Sequence, residues 1–591
     1  MSLFHRRCFL HSRASIAVAA PLTAWTLAVG AAGAGAPAMA QTSASAPQPF
    51  IEELRQQERE RALRAQQERA VDAHLPLEAT PAPGRLPDAE TPCFRIERLR
   101  LGGERAAEFQ WLLTAAAGAQ GDDAPIGRCL GTRGVDTVLA RLQQALVERG
   151  WVTTRVLAPP QDLAGGTLAF TLVPGRIAAI RFAAGTSDRT ALRNAIPARP
   201  GDLLNLRDIE QGLENLKRLP TADTDIQIEP SQAAGAKPGD SDLVVKYGRK
   251  FPLRGTLSLD DSGTRATGRT QAGATVAWDG PLGLNDLAYL SLNHDLFNPG
   301  ARGTGGQTLH YAIPYGDWLL GATASRSTYH QSVAGLHQDY VYAGESRNAE
   351  LRLSRLLYRD QRRKTTLALR AFRRASFNFI DDAEIEVQRR VVGGWELGLN
   401  HREFLGTATL DANLQYRRGT GAFGARPAPE EFFGEGTSRF GLVAADASLN
   451  LPFQLGDQKL RYSALWRAQW NRTPLTPQDR FAVGGRYTVR GFDGETSLMA
   501  ERGWLIRNDL GWALGQSGAE LYVGIDHGEV GGWSSQFLLG KRLTGGVLGL
   551  RGSMNALQGL SYDLFVGTPL RKPEGYRTAH VTGGFNLNYS F

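Results

Sequence analysis

The stretch LRYSALWRAQ at residues 460–469 decides the fold of this chain. Its apolar residues Leu460, Tyr462, Ala464 and Trp466 alternate with polar ones, which is the period-two pattern of a β-strand with two different faces. An ordinary strand has about five or six residues, whereas this stretch is close to the ~9–11 residues with which a tilted strand crosses a membrane. The pattern therefore indicates a strand with lipid on one side and water on the other.

The same alternation runs through the C-terminal part of the chain, where clear helical periodicity ends after Phe251. The apolar positions of three further stretches are Leu253, Leu257 and Leu259; Leu410, Ala412, Leu414 and Tyr416; and Val581, Phe585, Leu587, Tyr589 and Phe591. We count about sixteen candidate strands, an even number as bacterial barrels require. The C-terminal Phe591 falls within a strand, which suits closure onto the first one. The chain is therefore predicted to be mainly β, with residues 250–591 forming a transmembrane antiparallel β-barrel of about 16 strands around an aqueous lumen.

Two successive segments before the barrel share one order of elements. Residues 93–174 begin with a stretch that alternates like a strand, continue with leucines at helical spacing, and end with two more strands. Residues 175–249 repeat the order strand, helix, helix, strand, strand, with LRDIEQGLENLKRL as the second helix. The repeat predicts two small α/β domains.

The N-terminal residues are typical of a targeting segment. Residues 1–40 contain Arg6 and Arg7, a long apolar stretch and a small-residue cleavage site at 38–40, so they are predicted to be a signal peptide. The pair Arg6-Arg7 also looks like a twin-arginine signal, which serves proteins exported in a folded state. We favour the general secretory route, because a membrane barrel should cross the inner membrane unfolded.

A polar helix is predicted in residues 41–71, because residues 50–71 contain no Gly or Pro and are rich in Glu, Gln, Arg and Ala. Three apolar residues form a thin face on it: Ile51, Leu54 and Leu63. Such a helix is either solvated or lies in a wet cavity. Residues 72–92 contain repeated prolines and are predicted to be a semi-extended linker.

Two cysteines remain once the signal peptide is removed. Cys93 and Cys129 are an even number in an oxidising compartment, so we expect a disulfide, with two buried free thiols as the alternative. The sequence contains no C-x-x-C and no His/Cys cluster. We therefore expect neither a metal nor another cofactor.

One long connection, at about residues 471–500, interrupts the hairpin rhythm, and a loop of this length favours a functional role. It contains Val489-Arg490-Gly491-Phe492, in which Gly491 allows a sharp turn beside Arg490. If the loop turns into the lumen, Arg490 needs a carboxylate partner, because an unpaired charge away from bulk water is costly.

A candidate partner lies on a later strand. Gly524, Asp526 and Gly528 fall on the polar face of LYVGIDHG and are expected to face the lumen, where the two glycines leave room for a loop. The alternative is an exposed Arg490 and a solvated Asp526.

With these features in this order, the chain resembles the two-partner-secretion outer-membrane transporters of the TpsB type. The loop tip at residues 489–492 matches the family's Val-Arg-Gly-Tyr/Phe tip, and residues 524–528 match its Gly-x-Asp-x-Gly strand motif. Residues 259–287 also resemble the family's first barrel hairpin. The resemblance implies that Arg490 pairs with Asp526, that the two α/β repeats are POTRA domains, and that the helix in residues 41–71 plugs the barrel.

The resemblance also implies the function. Such a protein exports an unfolded, mostly β-helical partner exoprotein of the haemolysin, adhesin or contact-dependent toxin type to the cell surface. The POTRA domains would lie in the periplasm of a Gram-negative bacterium and bind the exoprotein by strand addition. The other expected partners are outer-membrane lipid and the barrel assembly machinery, which would insert this barrel.

Other classes of function fit less well. An insertase that assembles other barrels shares POTRA domains and a similar loop tip, but such proteins typically carry more modules and no plug helix; it stays the alternative. A passive porin would not need the α/β repeats. The sequence has no G-x-S-x-G or H-E-x-x-H, so we expect no enzyme, and its net charge of +8 is spread along the chain, so we expect no nucleic acid.

Overall fold

A computed structural model describes residues 49–591 except 69–70, 76–82, 187–189, 298–299, 301 and 555–558. The predicted signal peptide and part of the predicted linker lie outside the described residues. Among those residues, no helix combines the length and the apolar character that a membrane-spanning helix needs.

The part of the chain before the barrel contains five α-helices among its described residues. They are α1 Pro49–Gln67, α2 Leu112–Ala115, α3 Thr132–Glu148, α4 Leu192–Ala195 and α5 Leu206–Lys217. The strands there are β1 Phe94–Arg95, β2 Arg98–Gly103, β3 Cys129–Leu130, β4 Arg155–Leu157, β5 Thr167–Val173, β6 Ile177–Phe182, β7 Ala222–Pro230 and β8 Ser241–Arg249. Short 3-10 helices lie at Ala106–Phe109, Glu386–Gln388, Pro429–Phe433, Pro477–Asp479 and Trp533–Phe537.

The two predicted repeats have the same sheet topology. The first sheet has the order β2-β5-β4 and the second has the order β6-β8-β7, so the last strand is central in both. In the two sheets, β2 is parallel to β5 and β6 is parallel to β8. One side of each sheet is covered by helices: leucines of α3 pack on β5, and Ile209, Leu213 and Leu216 of α5 pack on β8. This arrangement buries the helical faces that the leucine spacing predicted.

Helix α1 is shorter than its sequence composition predicted. It ends at Gln67, whereas the helix-forming composition continues to residue 71. Residues 71–75 form neither helix nor strand and lie against α5.

The barrel strands begin four residues after β8. They are β9 Leu253–Asp260, β10 Gln271–Asp279, β11 Leu287–Asp295, β12 Arg302–Tyr315, β13 Trp318–Ala334, β14 Asp339–Arg359, β15 Arg363–Ile380, β16 Ala383–Glu384, β17 Arg390–Leu405, β18 Ala408–Thr420, β19 Gly441–Leu455, β20 Gln458–Asn471, β23 Arg502–Ala513, β24 Ala519–Gly531, β25 Arg542–Ser553, β26 Leu560–Arg571 and β27 Thr582–Ser590. A separate hairpin of β21 Phe481–Val483 and β22 Leu498–Ala500 lies in the connection after β20.

In the described part of the chain, sixteen of these strands close an antiparallel barrel, and the two-residue β16 only pairs with the end of β15. The prediction of a closed 16-stranded barrel is confirmed. Several strands are longer than a membrane crossing requires, and β14 has 21 residues. These strands therefore continue beyond the lipid.

The barrel closes where β27 pairs with β9. Their register joins Thr256–Asp260 of β9 with residues 586–590 of β27. Phe591 follows the last strand, and its backbone exchanges two hydrogen bonds with Gly255, of 2.9 and 3.0 Å. A side chain at Gly255 would collide with the Phe591 ring, so the terminal aromatic lies across the seam.

The two ends of the barrel differ. The turns at 280–286 and 316–317 are short, and Asn194 of the second repeat bonds to the carbonyl of Pro314 beside one of them. The connections at the other end are longer and include residues 421–440 and 472–501. The α/β repeats are therefore attached to the short-turn end.

Candidate functional site

Helix α1 lies inside the barrel, where its polar side chains pair with the wall. Glu68, directly after the helix, is 3.2 Å from His310 of β12, and Glu53 is 3.7 Å from Arg374 of β15. On the far side of the lumen, Glu58 is 3.1 Å from Arg467 of β20. Partners on well-separated strands explain why this helix needs polar residues on nearly all sides.

Few apolar contacts hold α1. Leu63 packs against a small cluster that contains Leu219 and Tyr289, and Ile51 is buried at the other end of the helix. The helix is thus held mainly by ion pairs and hydrogen bonds rather than by a hydrophobic core.

The residues that follow the helix are fixed to the second α/β repeat. We call residues 71–75 the strap. The backbone N–H groups of Ala73 and Leu75 donate to Glu214 and Glu210 of α5, at 3.2 and 3.1 Å. Arg359, at the end of β14, donates to the Ala73 carbonyl at 2.6 Å and lies 3.1 Å from Glu210. The strap therefore joins α1, the second repeat and the barrel rim.

The long connection after β20 folds back into the barrel. Its hairpin β21–β22 and its tip form one apolar cluster with the wall, in which Val489 and Phe492 are buried. The Phe492 ring packs edge-on against Tyr576, with 5.9 Å between centroids. The side of the tip that faces the wall is therefore dry and closely packed.

Arg490 is brought directly onto Asp526. The guanidinium Nε and Nη2 donate to the two carboxylate oxygens at 2.7 and 2.8 Å, and the backbone N–H of Arg490 donates to Oδ2 at 2.9 Å. Arg490 is 4% exposed and Asp526 is fully buried. Burial alone would lower the pKa of Arg490, but its hydrogen bonds to Asp526 and the charges of Asp526 and Asp509 outweigh this, so the pKa lies above its usual value.

The close approach of the tip depends on small residues. Gly491 has φ +93°, a conformation that other residues rarely adopt. A Cβ at Gly545 of β25 would lie 1.8 Å from the Arg490 carbonyl oxygen, and a Cβ at Gly528 would lie 2.9 Å from Val489 Cγ2. Gly524 is also buried on this face, but a Cβ there would meet Asp509 rather than the tip.

A second carboxylate, which the sequence analysis missed, completes the site. Asp509 of β23 accepts a hydrogen bond from Arg490 Nη2 and lies 3.3 Å from Arg551 of β25. Arg507, two residues earlier, is 3.8 Å from Asp526. Lumen-facing charges alternate along WLIRNDLGWA, but nothing in that local pattern assigns Asp509 to Arg490 rather than to solvent.

The loop also spans the barrel seam. Arg486 Nη1 donates to Asp261 at 2.8 Å, and the same carboxylate oxygen accepts the backbone N–H of Phe585 on β27. Asp261 directly follows β9, so the loop contacts the ends of both strands that close the barrel.

Two other features lie away from the lumen. Cys93 and Cys129 form a disulfide, with 5.3 Å between their Cα atoms, which joins β1 to β3. His527 beside Asp526 faces outward, and its Nδ1 is 2.8 Å from Thr544 Oγ1. No group of three or more His, Cys, Asp or Glu side chains in the described part of the chain could hold a metal ion.

Three protein-family models match the chain. The model described as haemolysin secretion/activation protein ShlB/FhaC/HecB matches residues 239–552. A POTRA domain of ShlB type matches residues 94–175, and a second POTRA domain matches residues 176–230.

Known relatives give the same result over nearly the full length. The chain is 38% identical over 561 residues to outer membrane transporter CdiB-2 of Burkholderia pseudomallei (strain 1026b), covering 91% of this chain and 94% of that protein. It is 27% identical over 417 residues to hemolysin transporter protein ShlB of Serratia marcescens, covering 69% and 73%. The solved structure of CdiB from Acinetobacter baumannii matches with a TM-score of 0.79 at 29% identity, over 92% of this chain and 99% of that one.

Proposed function

This chain belongs to the ShlB/FhaC/HecB family of haemolysin secretion/activation proteins and is an outer-membrane transporter of two-partner secretion, and we propose that it exports an unfolded, mostly β-helical exoprotein of the contact-dependent toxin type. The relatives named CdiB support this cargo type, because one of them is 38% identical over most of the chain, whereas the relative named for haemolysin is 27% identical over a shorter stretch. The POTRA domains lie in the periplasm, so the cargo enters at the short-turn end.

The observation that carries the proposal is a polar helix stored inside the lumen. A polypeptide passes through this barrel only if α1 moves, and α1 is held by ion pairs such as Glu58–Arg467 rather than by apolar packing. Ion pairs in contact with water each contribute only ~0–1 kcal/mol. Helix α1 is therefore a plug that an incoming chain can displace.

The strap gives the cargo a way to act on the plug from the periplasm. Glu210 and Glu214 of the second POTRA domain accept backbone N–H groups of the strap. Any extended segment has the same backbone N–H donors as the strap. A cargo segment bound near α5 therefore competes with the strap for Glu210 and Glu214, whatever the sequence of the cargo. Release of the strap would free the plug.

Cargo recognition is proposed to use strand addition at the POTRA sheets. In the described structure β7 pairs with β8 only, so its outer edge is open. An extended segment can add to such an edge through backbone hydrogen bonds. A photo-crosslinker at Asp225, which is exposed on β7, is expected to capture the exoprotein during export. The same crosslinker at Asp136, exposed on α3, serves as the control; equal capture at both positions would contradict strand addition at this edge.

The role proposed for the loop tip is to hold the wall between β23 and β26 in one arrangement while the plug moves. Arg490 reaches Asp526 and Asp509 on neighbouring strands and is itself fixed by its backbone. We further propose that the chain reaches the outer membrane through the barrel assembly machinery, as a barrel of this size must insert with its hydrogen bonds already closed.

The plug mechanism can be tested by tethering α1 to the wall. Cysteines at Glu58 and Arg467, joined by a short bis-maleimide, are expected to abolish secretion of the exoprotein. The matched control joins Arg461 of β20 to Glu520 of β24. Their side chains form an ion pair of 2.7 Å along the wall, and this pair does not involve the helix. Cys93 and Cys129 are already disulfide-bonded and do not react. Undiminished secretion with the tethered helix would overturn the plug role.

A further inference from the structure

Four arginines face outward near the cell-surface end of the barrel. Arg326 of β13 lies directly opposite Arg347 of β14, and Arg373 of β15 lies in the next outward row. Arg418 of β18 follows on the same face, opposite Trp395. We call these four residues the arginine patch.

Their outward direction follows from the alternation of each strand. On β14, Glu350 pairs with Arg64 of the plug, so the odd-numbered residues of this strand point to lipid. On β15 the lumen-facing Arg370 and Arg374 likewise leave Arg373 on the outside. The side chains of Arg326 and Arg347 are 50% and 58% exposed.

The patch carries more positive charge than its neighbours neutralise. Arg326 and Arg347 share one carboxylate, that of Glu345. Within the described residues, neither Arg373 nor Arg418 has an ion-pair partner, and Arg373 donates to the Phe423 carbonyl instead, at 3.1 Å. Unneutralised arginines beside hydrocarbon are costly unless an anion approaches them.

An apolar surface lies directly on the periplasmic side of the patch. Outward-facing leucines in the neighbouring strands are 39–52% exposed: Leu351, Leu353, Leu369, Leu397, Leu399 and Leu414. The rings of Trp395 and Tyr416 pack edge-on between the leucines and the arginines, with 5.6 Å between centroids. An amphiphile with an anionic head and acyl chains would match both surfaces at once.

Two outward-facing arginines at the periplasmic rim have different surroundings. There the outward-facing Arg355 stacks on Trp318 at 5.0 Å, and Arg363 is paired with Glu403 at 2.9 Å. Each of these two guanidinium groups is therefore already in contact with a neighbouring side chain of the barrel.

We propose that the arginine patch binds the phosphate groups of a phosphorylated, acylated glycolipid of the outer leaflet, of the lipid A type. Arginine forks bind phosphate oxygens in pairs, and the exposed leucines below would contact the acyl chains. The lipid would then fix the barrel wall on the side of β13–β18, opposite the strands that hold the loop tip.

Binding can be measured by native mass spectrometry on the detergent-solubilised full-length protein, with bisphosphorylated lipid A as the probe. The patch variant is Arg347→Gln/Arg373→Gln, and the matched control is Arg355→Gln/Arg363→Gln, which removes the same charge at the periplasmic rim. At ~1 kcal/mol per arginine near a charged surface, the patch variant should bind lipid A about thirtyfold more weakly, and the control should bind like the wild type. The single variant Arg373→Gln should bind lipid A about fivefold more weakly than the wild type. It replaces the double variant if the double variant does not fold.

Three results would overturn the proposal. They are equal binding by the patch variant and the wild type, equal losses in the patch variant and the control, and undiminished binding of lipid A from which both phosphates were removed. Inorganic phosphate should not displace the lipid; displacement at matched phosphate concentration would assign the site to free phosphate instead.

Discussion

Replacing Arg490 by alanine should release the loop tip from the barrel wall. Asp526 would keep the backbone N–H of residue 490 but lose both guanidinium bonds, in a place where it is fully buried. Breaking a buried pair by removing one partner costs ~3–5 kcal/mol, and Arg507 at 3.8 Å partly replaces the lost charge, so we expect a value near the lower limit. Arg490→Lys keeps the charge without the fork and should cost ~1–2 kcal/mol.

The assay for this prediction is hydrogen exchange of the amides in residues 484–497, at matched levels of folded protein. A loss of ~3 kcal/mol should speed exchange through local opening about a hundredfold in Arg490→Ala, and less in Arg490→Lys. The barrel amides of β14 and β15 should not change. Unaltered exchange of the loop in Arg490→Ala would refute the view that this ion pair holds the tip.

Three further predictions concern other parts of the molecule. Deletion of residues 49–67 should raise channel conductance in planar bilayers, because the lumen loses its polar helix. Gly545→Ala should lower the free energy of unfolding by ~1–3 kcal/mol, and with it the thermal midpoint, because its Cβ would lie 1.8 Å from the Arg490 carbonyl oxygen. The same variant should speed amide hydrogen exchange at the loop tip. Burial and then the charge of Asp317 raise the pKa of Asp208 to about 6, so its contribution to stability is complete below about pH 4 and is lost as the pH rises through 6. Asp208→Asn should therefore raise the free energy of unfolding at pH 8 by up to ~3 kcal/mol and leave it unchanged at pH 4, which the thermal midpoint at each pH will show.

Each of these predictions has a contrary result. Unchanged conductance would mean that α1 does not close the lumen. Wild-type exchange in Gly545→Ala would mean that the tip does not need the space beside β25. A shift of the same size at pH 4 and pH 8 in Asp208→Asn would assign its effect to packing rather than to charge.

The barrel could be predicted from the sequence because its strands have two chemically distinct faces. On β24 the exposed Leu521, Val523 and Ile525 alternate with the buried Tyr522 and Asp526, as the period-two pattern predicted. The helix predicted over LRDIEQGLENLKRL likewise packs Ile209, Leu213 and Leu216 into the core of the second repeat. Such faces are fixed by burial, which leaves a periodic trace in the sequence.

Features that depend on partners distant in sequence left no such trace. Asp509 became a partner of Arg490 only through the register of β23 with β24, and no local pattern fixes that register. The strap lies along α5 because Glu210 and Glu214 accept hydrogen bonds from its backbone, and its composition alone does not identify these partners. Strand length was underestimated because the pattern continues outside the lipid, where β14 reaches 21 residues.

The most direct test of the account is export by the purified transporter. The full-length protein is placed in liposomes with its POTRA domains outside, and an unfolded exoprotein encoded beside its gene is added. The account predicts that the exoprotein becomes protected from external protease, and that joining Glu58 to Arg467 through cysteines prevents this. If no exoprotein enters, and unfolded outer-membrane barrels instead insert into the same liposomes only when this protein is present, the export account is contradicted and an insertase takes its place.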